Sequence, residues 1–215
     1  GKFAICPPVE ASMLIREESC KHFITCGGIK FGVVFTDGSV AMPRSQWLVH
    51  AGWGLYTCEG ASSNDWGKLE DPPFTSFRTE LRGVLEAFSR TTIPICVMCD
   101  NQAVVDKTIA ILDKVYHPEG ECDVDEDLDD PMWEALRQMA IRAPRFQYRI
   151  RWIAGHLLDT GNEDKLENFL QEGGNIEMAR GNAAADRLAD KGAAIDAPAL
   201  SLQWKEYLAA KMARA

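Results

Sequence analysis

Two aspartates in this chain stand directly after apolar, β-rich runs: Asp37 follows FGVVFT and Asp100 follows IPICVMC. In α/β sheets ligands bind outside the carboxyl ends of parallel strands, so carboxylates at two such ends can meet at one site. An aspartate there is also an ordinary turn former, and Asp37-Gly38-Ser39 is good turn chemistry. Two further carboxylates fall near expected helix starts. Glu80 lies in the first turns of a helix capped by Thr75 or Ser76, beside Leu81 on the side that faces the sheet. Asp186 lies four residues beyond Asn182, an N-cap candidate, in GNAAADRLADKGA, with Asp190 one turn later on the same face. Taken singly, Glu80 and Asp186 also read as helix-start acids favoured by the macrodipole. His156 follows the apolar segment WIAG, and imidazole titrates near neutrality.

Strands are expected over residues 31–37 and 51–59, joined by a long hairpin connection, over 93–100 as a buried run, and over 146–153 as an alternating one. A helix running from 75 or 76 to about 90 carries Leu81, Val84, Leu85 and Phe88 at the i, i+3, i+4, i+7 spacing of one face. Further helices are expected over 102–116, 131–142 and 182–194, with a last amphipathic one over 202–212. Strand, helix, strand, helix points to α/β architecture. Residues 1–30, with Pro7, Pro8 and the Gly27-Gly28 pair, read as an N-terminal extension, residues 31–195 as the domain, and 196–215 as a C-terminal helix.

FTDGS with Asp37, RTEL with Glu80, CDNQ with Asp100, WIAGH with His156 and GNAAADRLADKGA with Asp186 together resemble the ordered motif set of type 1 ribonuclease H. Retroelement polyproteins are one setting of that family. The resemblance runs over about residues 31–194 and includes Pro131-Met132-Trp133, where the family has a helix bearing tryptophan. It implies a five-stranded mixed sheet flanked by helices on both faces, and a nuclease that hydrolyses the RNA strand of RNA/DNA hybrids. By the resemblance, Asp37, Glu80, Asp100 and Asp186 hold two Mg²⁺ ions, with Mn²⁺ able to substitute, Asp37 bridges, and His156 is a mobile auxiliary. Ser39, Ser76, Arg78, Asn101, Gln102 and Asn182, which flank these residues, are the expected substrate contacts. The physics agrees. Clustered carboxylates repel by roughly 4 kcal/mol per pair at an effective dielectric of about 20, and divalent cations with oxygen ligands offset that.

The chain departs from the family's pattern in three places. Ser76 and Phe77 stand where many members have amide side chains that read the minor groove. The basic protrusion of some members is missing, and eight of the twelve residues from 119 to 130 are acidic instead. That stretch reads as a solvated loop, its spacing lacking the glycine and terminal glutamate of an EF-hand, and it is expected to weaken hybrid binding because it sits where other members place positive charge. Finally, 29 residues separate His156 from Asp186, about three times the usual spacing, so an insertion over 157–180 is placed to act as a lid or to disable the histidine.

The net charge of −9 excludes a strong nonspecific nucleic-acid binder, yet a nuclease must carry carboxylates for its metal. No run approaches the roughly 18 apolar residues of a membrane span. Seven scattered cysteines suit a reducing, intracellular setting, nucleus or cytoplasm, better than a disulfide framework. Cys96 and Cys99 are expected on opposite faces of a strand, and Cys20, His22 and Cys26 lack a second ligand pair, so neither set reads as a zinc site. The chain opens on Gly1 and is expected to be a processed product or a piece of something larger. No protein partner is legible. Two other readings stay open: an inactive nucleic-acid-binding or scaffolding module of the same fold, and a resolvase or exonuclease, which lacks the WxxGH and GNxxAD strings.

Overall fold

The computed structural model describes residues 10–41, 49–119, 130–197 and 200–213. Its sheet is built from β1 (Phe23–Cys26), β2 (Ile29–Ala41), β3 (His50–Tyr56), β4 (Asp65–Lys68), β5 (Ile95–Cys99) and β6 (Tyr148–Trp152). The order is β4-β3-β2-β5-β6, with the β2–β5 and β5–β6 pairings parallel and the β1–β2, β2–β3 and β3–β4 pairings antiparallel. The helices are α1 (Ser76–Arg90), α2 (Gln102–Tyr116), α3 (Pro131–Arg142), α4 (Glu163–Gln171), α5 (Ile176–Ala193) and α6 (Leu200–Met212). The expected mixed sheet with helices on both faces is present, and β1 adds a strand to it.

Helices α1, α2 and α3 cover one face. The expected stripe of Leu81, Val84, Leu85 and Phe88 is buried there with Val34, Val97, Trp133 and Leu136. Thr75 accepts a hydrogen bond from the Arg78 amide at 3.3 Å to start α1, and Asp130 accepts from Met132 at 3.0 Å to start α3 at Pro131. The two starts are tied together, since Arg78 Nε donates to Asp130 Oδ2 at 2.6 Å.

Helix α5 covers the other face along a seam of small residues. A Cβ on Gly54 of β3 would lie 2.3 Å from the Ala185 carbonyl oxygen, and one on Gly52 would lie 2.0 Å from the Ala193 nitrogen. Backbone therefore meets backbone, and α5 sits closer to the sheet than larger side chains permit. We expect Gly54→Ala to push α5 outward and destabilise the fold by about 1–3 kcal/mol, the usual cost of overpacking. Urea denaturation reads this directly, and an unchanged midpoint would show that the seam has slack.

Residues 10–30, expected as an extension, belong to the packed body as far as they are described. Ile15 is fully buried in the main core and bridges to Thr91. Gly27 and Gly28, both at positive φ, make the two-residue turn between β1 and β2. Gly32 pairs with Phe23 on one side and Ile95 on the other, so β1 and β3 follow one another along the same edge of β2. The expected strand end at Gly38 is also corrected: β2 runs on to Ala41, paired with β3. Residues 42–48 of the expected hairpin connection, and 120–129 of the acidic stretch, lie outside the described residues. At the C-terminal end Tyr207, Leu208 and Met212 of α6 are exposed.

Candidate active site

The pairing of β2 with β5 ends at Phe35 and Met98, so Asp37 and Asp100 stand just past the carboxyl end of the parallel pair. Gly38 then lets α1 sit directly on β2. A Cβ there would lie 2.2 Å from Thr79 Oγ1 and 2.6 Å from the Glu80 nitrogen. This approach brings Glu80 to Asp37. Asp37, Glu80 and Asp100 each offer a carboxylate oxygen, all within 4.8 Å of one another, in the one group among the described residues with metal-ligand geometry.

Asp37 and Glu80 are buried, at 5% and 3% exposure, while Asp100 faces the opening. The Gly38 amide donates to Asp37 Oδ1 at 2.6 Å, but Oδ2 is buried with no hydrogen-bond partner among the described residues. Burial first, and then the charge of Asp100, pushes the Asp37 carboxyl up to about 8. Burial and the charge of Asp37 raise Glu80 well above the usual carboxylate range. Cys99 lies behind them, its thiol 3.7 Å from Glu80 Oε2.

Asp100 is held from its outer side. Trp152 Nε1 donates to its carbonyl at 3.0 Å, and a Cβ on Gly155 would lie 2.1 Å from its Oδ2, so a larger residue at 155 would push the carboxylate aside. Across a cleft of about 420 Å³ stand Asp186 and Asp190 on α5, with His156 and Asp159 at the mouth. Ser39 Oγ donates to Asp190 Oδ1 at 2.7 Å, linking β2 to that wall. Burial, followed by the charge of Asp190, raises Asp186, and His156 lowers it in part. His156 has positive φ (56°), and its Nδ1 is 3.3 Å from Asp159 Oδ2.

This architecture matches solved structures. The RNase H domain of PFV superimposes with a TM-score of 0.53 at 20% identity, over 76% of this chain and 94% of that one. The chain has the ribonuclease H fold. The prototype foamy virus protease-reverse transcriptase gives a TM-score of 0.51 at 20% identity over 75% of this chain, which spans only 20% of that one. No protein-family model and no curated protein sequence matches the chain.

Within the ribonuclease H fold, the structure brings Asp37, Glu80 and Asp100 into one cluster and sets Asp186 and His156 on the rim of the same cleft. Of the expected substrate contacts, Ser39 and Ser76 line the cleft. The others are not among the residues lining it. Arg78 is engaged with Asp130 and with the Asp71 carbonyl at 2.6 Å. Asn101 caps α2 by accepting from the Val104 amide at 3.2 Å, and Gln102 donates to Asp106 at the surface. Asn182, expected as an N-cap, is buried inside α5, which starts six residues earlier at Ile176 with Asn175 as its cap. Asp159 was not singled out from sequence, and its only signal is a spacing of three from His156.

Among the described residues five cysteines are free, and Cys96, near Cys26 and Arg149, has neighbours different from those of Cys99, whose thiol lies by Glu80.

Proposed function

We propose that this chain is a divalent-metal-dependent endonuclease that hydrolyses the RNA strand of RNA/DNA hybrids. One observation carries the reading: a carboxylate trio, two of its members buried and Asp100 facing the opening, with an unpartnered buried oxygen on Asp37. The donor set fits Mg²⁺. It is all oxygen, and an acid raised by burial becomes a strong ligand once a cation replaces its proton. Six carboxylates (Asp37, Glu80, Asp100, Asp159, Asp186 and Asp190) line a cleft that a phosphodiester cannot approach without cations.

In this reading Asp37 and Asp100 would be the central residues holding the metal, and Glu80 and Asp186 would complete the set. Bound Mg²⁺ supplies a water activated at neutral pH and charge neutralisation at the scissile phosphate and its leaving oxygen. Gly38 and Gly155 fix where the first carboxylates point. His156, exposed at the mouth, takes up or returns a proton near the leaving group. Ser39 and Ser76 are placed for the sugar-phosphate backbone, and selectivity rests on 2′-hydroxyls in the wide minor groove of an A-form-like hybrid. Keeping six mutually repelling acids in one cleft has no purpose in an inactive scaffold.

A cleavage assay on RNA/DNA hybrid, duplex DNA and duplex RNA tests this. We expect RNA-strand cuts in the hybrid alone, leaving 5′-phosphate and 3′-hydroxyl ends. Equal cleavage of duplex DNA would exclude the assignment.

A further inference from the structure

The segment over residues 157–180 contains α4, which packs beside the His156 loop rather than away from it. The residues on either side of Gly155-His156 are anchored: Ala154 and Leu157 are buried against Ala179 of α5, with Leu166 and Phe169 of α4 over them. The two peptide carbonyls between those anchors are also taken. Lys165 Nζ donates to the Gly155 carbonyl at 2.6 Å, and Asn162 Nδ2 donates to the His156 carbonyl at 2.7 Å.

Asn162 stands at the N-cap position of α4 yet makes no side-chain cap bond. Asparagine is among the best capping residues, and here its amide is turned to the histidine loop instead. His156 itself holds a left-handed backbone, uncommon among non-glycine residues although histidine adopts it more readily than most. On the far side of the loop, Gly155 abuts Asp100. Displacing the loop by even an ångström therefore moves the imidazole relative to the carboxylates.

We propose that α4 is a strut that fixes His156 over the cleft, with Asn162 and Lys165 as positioning residues acting through that histidine. The proposal rests on the hydrolytic reading above. It assigns the insertion a fixed role, in place of the lid or the disabling element that its position suggests from sequence.

The test uses the full chain with RNA/DNA hybrid and Mg²⁺. An Asn162→Ala/Lys165→Met double variant should lose about tenfold in kcat with KM within about twofold, because proton-transfer groups are sensitive to misplacement and hybrid binding is not. Lys165→Arg, which keeps a long donor, should restore most of the loss of Lys165→Met. In a His156→Ala background the double variant should cost nothing more. Hydrogen exchange at the Asp159 amide, which donates to the His156 carbonyl at 3.3 Å, should quicken in the double variant. An undiminished loss in the His156→Ala background, or unchanged exchange at Asp159, would overturn the strut. If the wild-type chain leaves the hybrid uncut, the functional reading falls, and the exchange measurement alone decides whether the strut exists.

Discussion

Asp37→Asn should abolish hybrid cleavage, lowering kcat by about 10³-fold or more, equivalent to roughly 4 kcal/mol of transition-state stabilisation. Asp37 is the residue whose loss reaches furthest. It holds the buried unpartnered oxygen, it faces both Glu80 and Asp100, and an amide presents a neutral oxygen where the cation needs a charged one. Asparagine matches the protonated aspartate in shape, so the fold survives the change. A single-turnover assay with excess Mg²⁺ separates lost chemistry from lost binding. Retention of wild-type rate would remove Asp37 from the proposed site.

The second large effect is on stability, and it changes sign with metal and pH. In the metal-free fold Asp37 binds its proton up to about pH 8, whereas the unfolded chain releases it near pH 4, and Glu80 and Asp186 are shifted in the same direction. Between those limits the folded state holds more protons than the unfolded one, so stability falls as pH rises. It is fully present below about pH 4 and is lost as pH climbs through about 8. Thermal melts in EDTA should therefore drop steadily from acid to mildly alkaline pH. Asp37→Asn lacks the Asp37 part of this slope and should melt higher than wild type at neutral pH, with the gap closing in acid. Mg²⁺ reverses the order. At one hundred times its dissociation constant it should stabilise wild type by about 2.7 kcal/mol, roughly 5–10 °C for a chain of this size, and the asparagine variant much less. A wild-type melt flat with pH and unmoved by millimolar Mg²⁺ would show that these acids do not act as one site.

Helices α1, α2 and α3 were legible because each joins a cap to a periodic apolar face, and local chemistry and tertiary packing agree there. The start of α5 was not. Gly181-Asn182 looks like a helix entry, yet Gly181 is needed in mid-helix because a Cβ there would lie 2.4 Å from the ring of Phe35. Strands β1 and β4 are four residues long and lie at the margin of the sheet, too short for an alternating pattern to register. The extra length of β2, Gly38 to Ala41, begins in a turn-like Asp-Gly-Ser and is held by pairing with β3 that no local signal announces. As for the site, Asp37 and Asp100 were marked by the apolar runs before them, but Glu80 and Asp186 stood out only as members of an ordered motif set. Asp159 was marked only by its spacing of three from His156, and the hold of α4 on the His156 loop is a product of packing across the insertion that a linear pattern does not carry.

The way β1 and β3 succeed one another along β2 also bears on colloidal behaviour. A long strand with one flank uncovered offers a row of free amides and carbonyls, a template on which a second chain can pair. Residues 29–32 of β2 would be such a flank, and β1 occupies it from within the same molecule. The short hairpin thus works as a built-in guard against intermolecular strand addition. A chain begun at residue 29 would keep every carboxylate of the cleft and give up that guard, together with the buried Ile15. Its weakness would show as self-association before it showed in the chemistry.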